Sequence, residues 1–225
     1  MNSPGPLYII AAGTLAAAAY VWWTNSNSVT YTGTDTTGID TSGGTNIFSS
    51  VVDSVTSNVQ NAFTDPATAL ANPNVQAWLA TVRTTETGTS GPRSYTTIAG
   101  GGQLTSLASY PTIGTTMVIN GQRLTTHAVG GYQFEPETWS EAAAALGLTD
   151  FSPASQDLAA VWLTQRRGAL ADVINGNLVS AIQKCNKEWA SLPGSPYNQN
   201  PVSQATFENY YASNGGIQTD AGTLV

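Results

Sequence analysis

Val75, Leu79, Val82 and Glu86 fall at i, i+4, i+7 and i+11, the spacing of one helical stripe. Three are aliphatic; the fourth is a carboxylic acid at the stripe's C-terminal end. Burial on the apolar face disfavours the carboxylate, and the negative end of the helix dipole disfavours it further. A Glu so placed holds its proton toward neutral pH, as a general acid must. The competing reading is a frayed helix end with Glu86 turned to water. Arg83, three residues earlier, is spaced to pair with Glu86 or with carboxylates of a ligand; a solvated or structural role is equally open.

Other chemistries find few residues. One Cys and one His exclude an intrachain disulfide and a Cys/His zinc site. Cys185 shares a helical face with Leu178, Ile182 and Trp189 and reads as a core thiol. His127 lies in a turn-rich segment and reads as a rim or surface residue. Trp78, Trp139, Trp162 and Trp189 fall on predicted helices and read mainly as core. No metal or cofactor is implied. A net charge of −7, with charged residues at only 9% of the chain, excludes a nucleic-acid binder, because no basic patch exists to neutralise phosphates.

The elements that must position Glu86 come after a chemically different N-terminal part. All seven basic side chains lie between Arg83 and Lys187. Leu7 to Trp23 is uncharged, with Tyr8 near one end and Trp22-Trp23 at the other, the placement of aromatics at membrane interfaces. As a helix it is about 25 Å long, slightly short of a hydrocarbon core of about 30 Å. No basic residue precedes it, so it reads as an uncleaved anchor sooner than a signal peptide. The alternative is a packing helix in a larger assembly. In residues 24–46, 18 of 23 are Thr, Ser, Gly or Asn, too polar to bury a core, and the segment reads as a linker. Ile47, Phe48, Val51, Val52, Val55, Val59 and Phe63 predict an amphipathic helix that packs on the domain or on copies of itself.

From Asn74 onward the pattern is that of a compact domain. Asn74 is the expected cap of a helix from Val75 to about Thr85. Strands are expected between Thr105 and Tyr132, around the hairpin-type Asn120-Gly121. A helix opens at Pro136 and closes at Gly147. Another opens at Ser152-Pro153 and ends at Arg166-Arg167-Gly168. Asn177 is expected to cap Leu178 to Ala190, and a last helix runs from about Pro201 to Ser213. The predicted fold class is mainly α (α+β), with a small β or irregular portion after the first domain helix. The expected divisions are 1–23 hydrophobic segment, 24–46 linker, 47–73 amphipathic helix and connector, and 74–225 catalytic domain.

The sequence also carries long motifs in a fixed order. They are Leu146-Gly-Leu-Thr-Asp-Phe-Ser-Pro-Ala-Ser-Gln-Asp157, Arg167-Gly-Ala-Leu170, Ala181-Ile-Gln-Lys-Cys185 and Trp189-Ala-Ser-Leu-Pro-Gly-Ser-Pro-Tyr197. Upstream stand Asn74-Val-Gln-Ala-Trp78, Arg83-Thr-Thr-Glu86, Ala99-Gly-Gly-Gly102 and Gly131-Tyr-Gln-Phe134. Together they resemble the lambda-phage lysozyme family of peptidoglycan lytic transglycosylases, over about residues 74–216. The chain departs from that pattern in one apparent extra residue after Glu86, and in Tyr110-Pro111 where the family tends to have His-Pro.

The resemblance implies a lysozyme-like fold and puts the family's catalytic acid at Glu86. It implies that Tyr132 and Gln133 line a saccharide cleft and that Tyr197 orients the acid or an acetamido group. The implied substrate is the glycan strand of bacterial peptidoglycan, and the implied product a 1,6-anhydro sugar. The residues fit a one-carboxylate route, since no acid lies between Glu86 and Glu135. A hydrolysing muramidase needs a second carboxylate, for which Glu135, Glu137, Asp150 and Asp157 are the candidates. The alternatives are such a hydrolase, or a non-catalytic wall-binding or virion protein that keeps the fold. Expected partners are peptidoglycan, a membrane through residues 7–23, and a virion or homo-oligomeric assembly through residues 47–63. The expected location is a membrane-held domain facing the wall, or the virion.

Overall fold

The computed structural model describes residues 64–225, except 120, 121, 198, 223 and 225. The uncharged run Leu7–Trp23, the linker and the predicted helix Ile47–Phe63 lie outside the described residues. The described elements are α1 (Pro66–Ala69), α2 (Pro73–Thr87), a 3-10 turn (Pro92–Thr96), β1 (Thr115–Ile119), β2 (Gln122–Thr126), α3 (Pro136–Leu146), α4 (Pro153–Arg166), α5 (Leu170–Asn175), α6 (Leu178–Cys185) and α7 (Gln204–Ser213). Among these residues no helix is long and apolar enough to cross a membrane.

Helix α2 lies at the centre and packs against α4, α5 and α7. Its cap is Asn72, not Asn74. The Asn72 side chain accepts from the N–H groups of Asn74 at 2.9 Å and Val75 at 3.3 Å. Pro73 then takes a first-turn position, where a missing N–H costs nothing. Asn74 is left to tie the helix to distant chain: its amide donates to the Ile174 carbonyl at 3.2 Å and accepts from the Ile217 N–H at 2.9 Å. Val75, Leu79 and Val82 are fully buried, as their stripe requires. Trp78 fills the space between helices, its ring 6.3 Å from Trp189 and 5.5 Å from Phe207. Its indole N–H donates to Thr164 on α4 at 3.2 Å, so the buried polar edge is satisfied. Gly88, at φ 81°, ends α2 by returning its N–H to the Thr84 carbonyl at 2.8 Å.

A second aromatic cluster joins α3 to the loops around the hairpin. Trp139 meets Phe151 edge-on at 4.6 Å and stacks on Tyr110 at 6.1 Å. The Tyr110 hydroxyl lies 2.9 Å from the carbonyls of His127 and Phe134. This gives Tyr110 of Tyr110-Pro111 its role, as a clamp across the loop that carries Gln133. Strands β1 and β2 are antiparallel, in a register running from Thr115↔Thr126 to Ile119↔Gln122.

The C-terminal third departs from the helices expected. α5 is a separate short helix, ended by Gly176 at φ 77°. Asn177 makes no side-chain cap to α6. Asp220, far along the chain, accepts instead from the N–H groups of Val179 at 2.9 Å and Ser180 at 3.3 Å. α6 stops at Cys185, short of Ala190, as the chain turns to bring Glu188 to Arg166 at 3.0 Å and Arg167 at 2.6 Å. α7 starts after Ser203, whose hydroxyl accepts from the Thr206 N–H at 3.1 Å, so Pro201 precedes the helix.

Candidate active site

Glu86 sits in the last turn of α2, partly buried. The loop after α6 brings Ser191 against it. The Ser191 hydroxyl donates to Glu86 Oε1 at 2.6 Å, and the Ser191 N–H points to the same oxygen at 3.3 Å. The Ser191 hydroxyl is also 2.9 Å from Thr85 Oγ1, which donates to the Val82 carbonyl at 3.0 Å. Burial raises the Glu86 carboxyl above its ordinary value, and the two bonds from Ser191 oppose that rise without cancelling it. Among the described residues, no ion pair involves Glu86.

Arg83 turns away from Glu86. Its guanidinium donates to the Tyr132 hydroxyl at 2.6 Å and to Asp157 at 3.1 Å, and lies 4.7 Å from the Tyr95 ring centroid. The hydroxyls of Tyr132 and Tyr95 reach the same carboxylate, at 2.5 Å and 3.0 Å. A Cβ on Gly131 would stand 2.7 Å from Arg83 Cδ, so glycine there makes room for the arginine stem. This network joins α2, α4 and the loop of residues 130–134. Tyr132 is 1% exposed and Arg83 9%, so neither presents surface to a saccharide. Arg83 takes the structural role that its sequence reading left open, and the Tyr132 hydroxyl, expected at a saccharide cleft, bonds with Arg83 and Asp157 inside the domain.

Gln133 adopts φ 49°, a left-handed backbone that non-glycine residues rarely take. Its amide nitrogen donates to the carbonyls of Gly130 at 2.8 Å and Thr97 at 3.3 Å, so it braces one edge of a groove. That groove, about 430 Å³, is lined by Thr87, Thr89, Arg93, Thr97, Gly101 and Gln103. Its wall includes Thr87, the residue directly after Glu86, and its lining side chains carry hydroxyl, amide and guanidinium groups. Gln103 is held in place by Thr96 at 2.6 Å and Thr97 at 3.3 Å. Tyr197 is 50% exposed, and its hydroxyl donates to the Lys187 carbonyl at 2.9 Å. No bond brings it to Glu86.

The remaining acids have other partners or open positions. Glu135 accepts from the Thr126 hydroxyl at 2.6 Å and the His127 N–H at 3.1 Å, fastening the base of the hairpin. The His127 ring lies 3.0 Å from the Ile113 carbonyl. Asp150 caps the turn before α4 through Ser152 at 3.0 Å and Ser155 at 2.6 Å. Glu137 is exposed in the first turn of α3. Cys185 is fully buried, which pushes its thiol up in pKa and out of reach of reagents.

Sequence reasoning missed Ser191 and the groove residues. Ser191 lies inside the Trp189–Tyr197 motif, but it is 105 residues from Glu86 and no periodicity links them. Thr87, Thr89, Thr97 and Gln103 belong to a Gly/Ser/Thr-rich stretch that resembles any polar loop. Arg93 did carry a signal, as one of two cations in a stretch without acids.

A family model described as Endolysin matches residues 76–218. The endolysin of Escherichia phage lambda is 37% identical over 105 residues, 47% of this chain and 65% of that protein. The endolysin of Escherichia phage P2 is 38% identical over 100 residues, 44% of this chain and 61% of that protein. The chain thus spans somewhat under two thirds of the length of each of these relatives. A structure of bacteriophage lambda lysozyme complexed with a chitohexasaccharide matches at TM-score 0.60 and 30% identity, covering 66% of this chain and 97% of that one. A second lambda lysozyme structure matches at TM-score 0.57 and 29% identity with the same coverage. The described domain therefore has the lysozyme fold, and the chain belongs to the Endolysin family.

Proposed function

We propose that this protein cleaves the glycan strands of bacterial peptidoglycan as a lytic transglycosylase, with Glu86 as its general acid. The observation that carries the reading is a partly buried carboxyl, raised in pKa by burial and held by Ser191, one residue before Thr87 of the groove wall. Membership of a family with phage endolysins supports the substrate class, and the chitohexasaccharide complex of lambda lysozyme supports a saccharide as the ligand.

In this reading Glu86 gives its proton to the oxygen linking N-acetylmuramic acid to N-acetylglucosamine. The muramyl C1–O bond breaks, and the 2-acetamido oxygen of the same sugar supports the developing charge at C1. The resulting Glu86 carboxylate takes the proton of the 6-hydroxyl as that oxygen bonds to C1. The product is a 1,6-anhydro end; no water is consumed and Glu86 is regenerated. The commitments of Glu135, Asp150 and Asp157 to hairpin, turn and ion pair favour this route over one needing a second carboxylate. The uncharged Leu7–Trp23 would hold the enzyme at a membrane facing the wall, or residues 47–63 would seat it in a virion.

The test is digestion of purified peptidoglycan by the full chain, with released sugars read by mass spectrometry. Anhydro ends are expected. Reducing ends would make it a hydrolysing muramidase, and no release a binding module. Fractionation of the full chain against one lacking residues 1–23 tests the anchor, which fails if the two partition alike.

A further inference from the structure

The cations of the described domain divide into two sets. Arg83, Arg166, Arg167 and Lys184 are all ion-paired, to Asp157, Glu141 with Glu188, Glu188 and Asp172 respectively. Arg93, Arg123 and Lys187 form no ion pair among the described residues; Arg93 is exposed, and no described residue accepts from its guanidinium. It lines the groove with Thr87 and Thr89, one and three residues after Glu86. Its backbone is fixed: Pro92 precedes it in the 3-10 turn, and its carbonyl accepts from the hydroxyls of Thr96 at 3.0 Å and Thr97 at 3.1 Å. The surrounding sequence keeps the charge unneutralised. Residues 87–134 contain Arg93 and Arg123 and no acid, within a chain of net charge −7. An acidic protein thus presents a cation on its groove wall and withholds the anion that would quench it.

We infer that Arg93 is a carboxylate-recognition residue, selecting the muramyl side of peptidoglycan over uncharged N-acetylglucosamine polymers. This rests on the groove being the saccharide site. Thr87, Thr89, Thr97 and Gln103 offer neutral hydrogen-bonding groups, which suit hydroxyls and acetamides common to both polymers. The chemical difference between the polymers is the lactyl ether of muramic acid and what it carries. That group is a free carboxylate when unsubstituted, and it bears further carboxylates when a peptide stem is attached. A guanidinium meets either by a charge-assisted, bidentate pair. The chemistry is shared and the two sources differ in distance from the sugar.

The experiment measures binding of three soluble ligands to full-length protein carrying Glu86→Gln, so that substrate survives. The ligands are chitohexaose, a muramyl oligosaccharide with peptide stems, and the same oligosaccharide after amidase removal of the stems. Arg93→Gln is expected to lower the ratio of muramyl to chitohexaose affinity about 10-fold, the scale of one charge-assisted hydrogen bond. Arg93→Lys should recover part of the ratio, since charge returns without the planar fork. A loss confined to the stem-bearing ligand assigns a stem carboxylate, and one confined to the stripped ligand assigns the lactyl carboxylate. An equal fall for all three ligands, or an unmoved ratio in a chain that cleaves peptidoglycan, overturns the inference and leaves the proposed function standing. Binding of none of the three, with no cleavage by the unmodified chain, overturns both.

Discussion

Ser191 and Glu86 meet through one carboxyl oxygen only: hydroxyl and N–H of Ser191 both address Oε1, at 2.6 Å and 3.3 Å. The carboxyl's other oxygen is thereby left to carry the transferable proton. Ser191 also opposes the rise in pKa that burial imposes. It works through Glu86, so it is a positioning residue. Ser191→Ala should move the alkaline limb of the activity–pH profile upward and lower kcat at neutral pH, with a smaller effect on KM. Ser191→Thr, which keeps the hydroxyl, should recover much of kcat. A profile that stays in place with kcat intact would show that the contact only packs the loop.

Glu86→Gln tests both catalysis and burial. It keeps shape and one hydrogen-bond acceptor but has no proton to give, and glycan release should fall by about 10²-fold or more. The same variant should gain stability in a defined pH window. Below about pH 4.5, the ordinary value for this group, Glu86 is protonated whether folded or not. Above it the unfolded chain ionises while the buried carboxyl resists, so stability is lost as pH rises toward and through the raised folded value. Thermal melts should therefore place Glu86→Gln above the parent at pH 7 and level with it near pH 4. Coincident melts at both pH values would mean the carboxyl is not desolvated.

Arg83 is predicted to matter for folding and not for sugar. Arg83→Ala leaves Asp157 with two tyrosine hydroxyls and no cation, and removes the stem packed against Gly131. Breaking such a largely buried pair costs about 3 kcal/mol. Denaturant unfolding should show that loss, while KM for peptidoglycan in the folded fraction should hold. A raised KM with unchanged stability would return Arg83 to the substrate.

The helical stripe that exposed Glu86 was legible because period and residue type agree over three turns of α2. Pro136, Gly147 and Ser152-Pro153 were legible for the same reason, since each punctuator acts on its own neighbours. What the sequence concealed was long-range. The carboxylate seated against the α6 N-terminus belongs to Asp220, and the partner of Arg83 is 74 residues away at Asp157. Arg83 sits at the right spacing for Glu86, and only the tertiary path of α4 past α2 decides that it pairs elsewhere. Tyr132 and Gln133 are adjacent in sequence, yet one turns into the core and the other braces the groove. The positive φ of Gln133 makes that division, and no local pattern announces it.

One carboxylate should suffice for cleavage. Glu135 is the acid that follows Glu86 in sequence, and both its oxygens are engaged by the hairpin base, through the Thr126 hydroxyl and the His127 N–H. Glu135→Gln keeps an acceptor for one of those donors, so the fold should survive with a modest loss of stability. Glu137→Gln and Asp150→Asn alter exposed positions and should change rate little. Asp157→Asn should cost stability through Arg83, as argued for that pair. In all four the released sugar should remain the 1,6-anhydro form, because the attacking oxygen is the substrate's own. A general acid or base lost from a two-carboxylate site typically costs 10²–10⁴ in rate. A loss of that size in folded Glu135→Gln or Glu137→Gln, joined by reducing ends among the parent's products, would assign water as the attacking group. Glu86 would then be one half of a hydrolytic pair, and the free oxygen opposite Ser191 would have to face a second carboxyl that the described structure engages elsewhere.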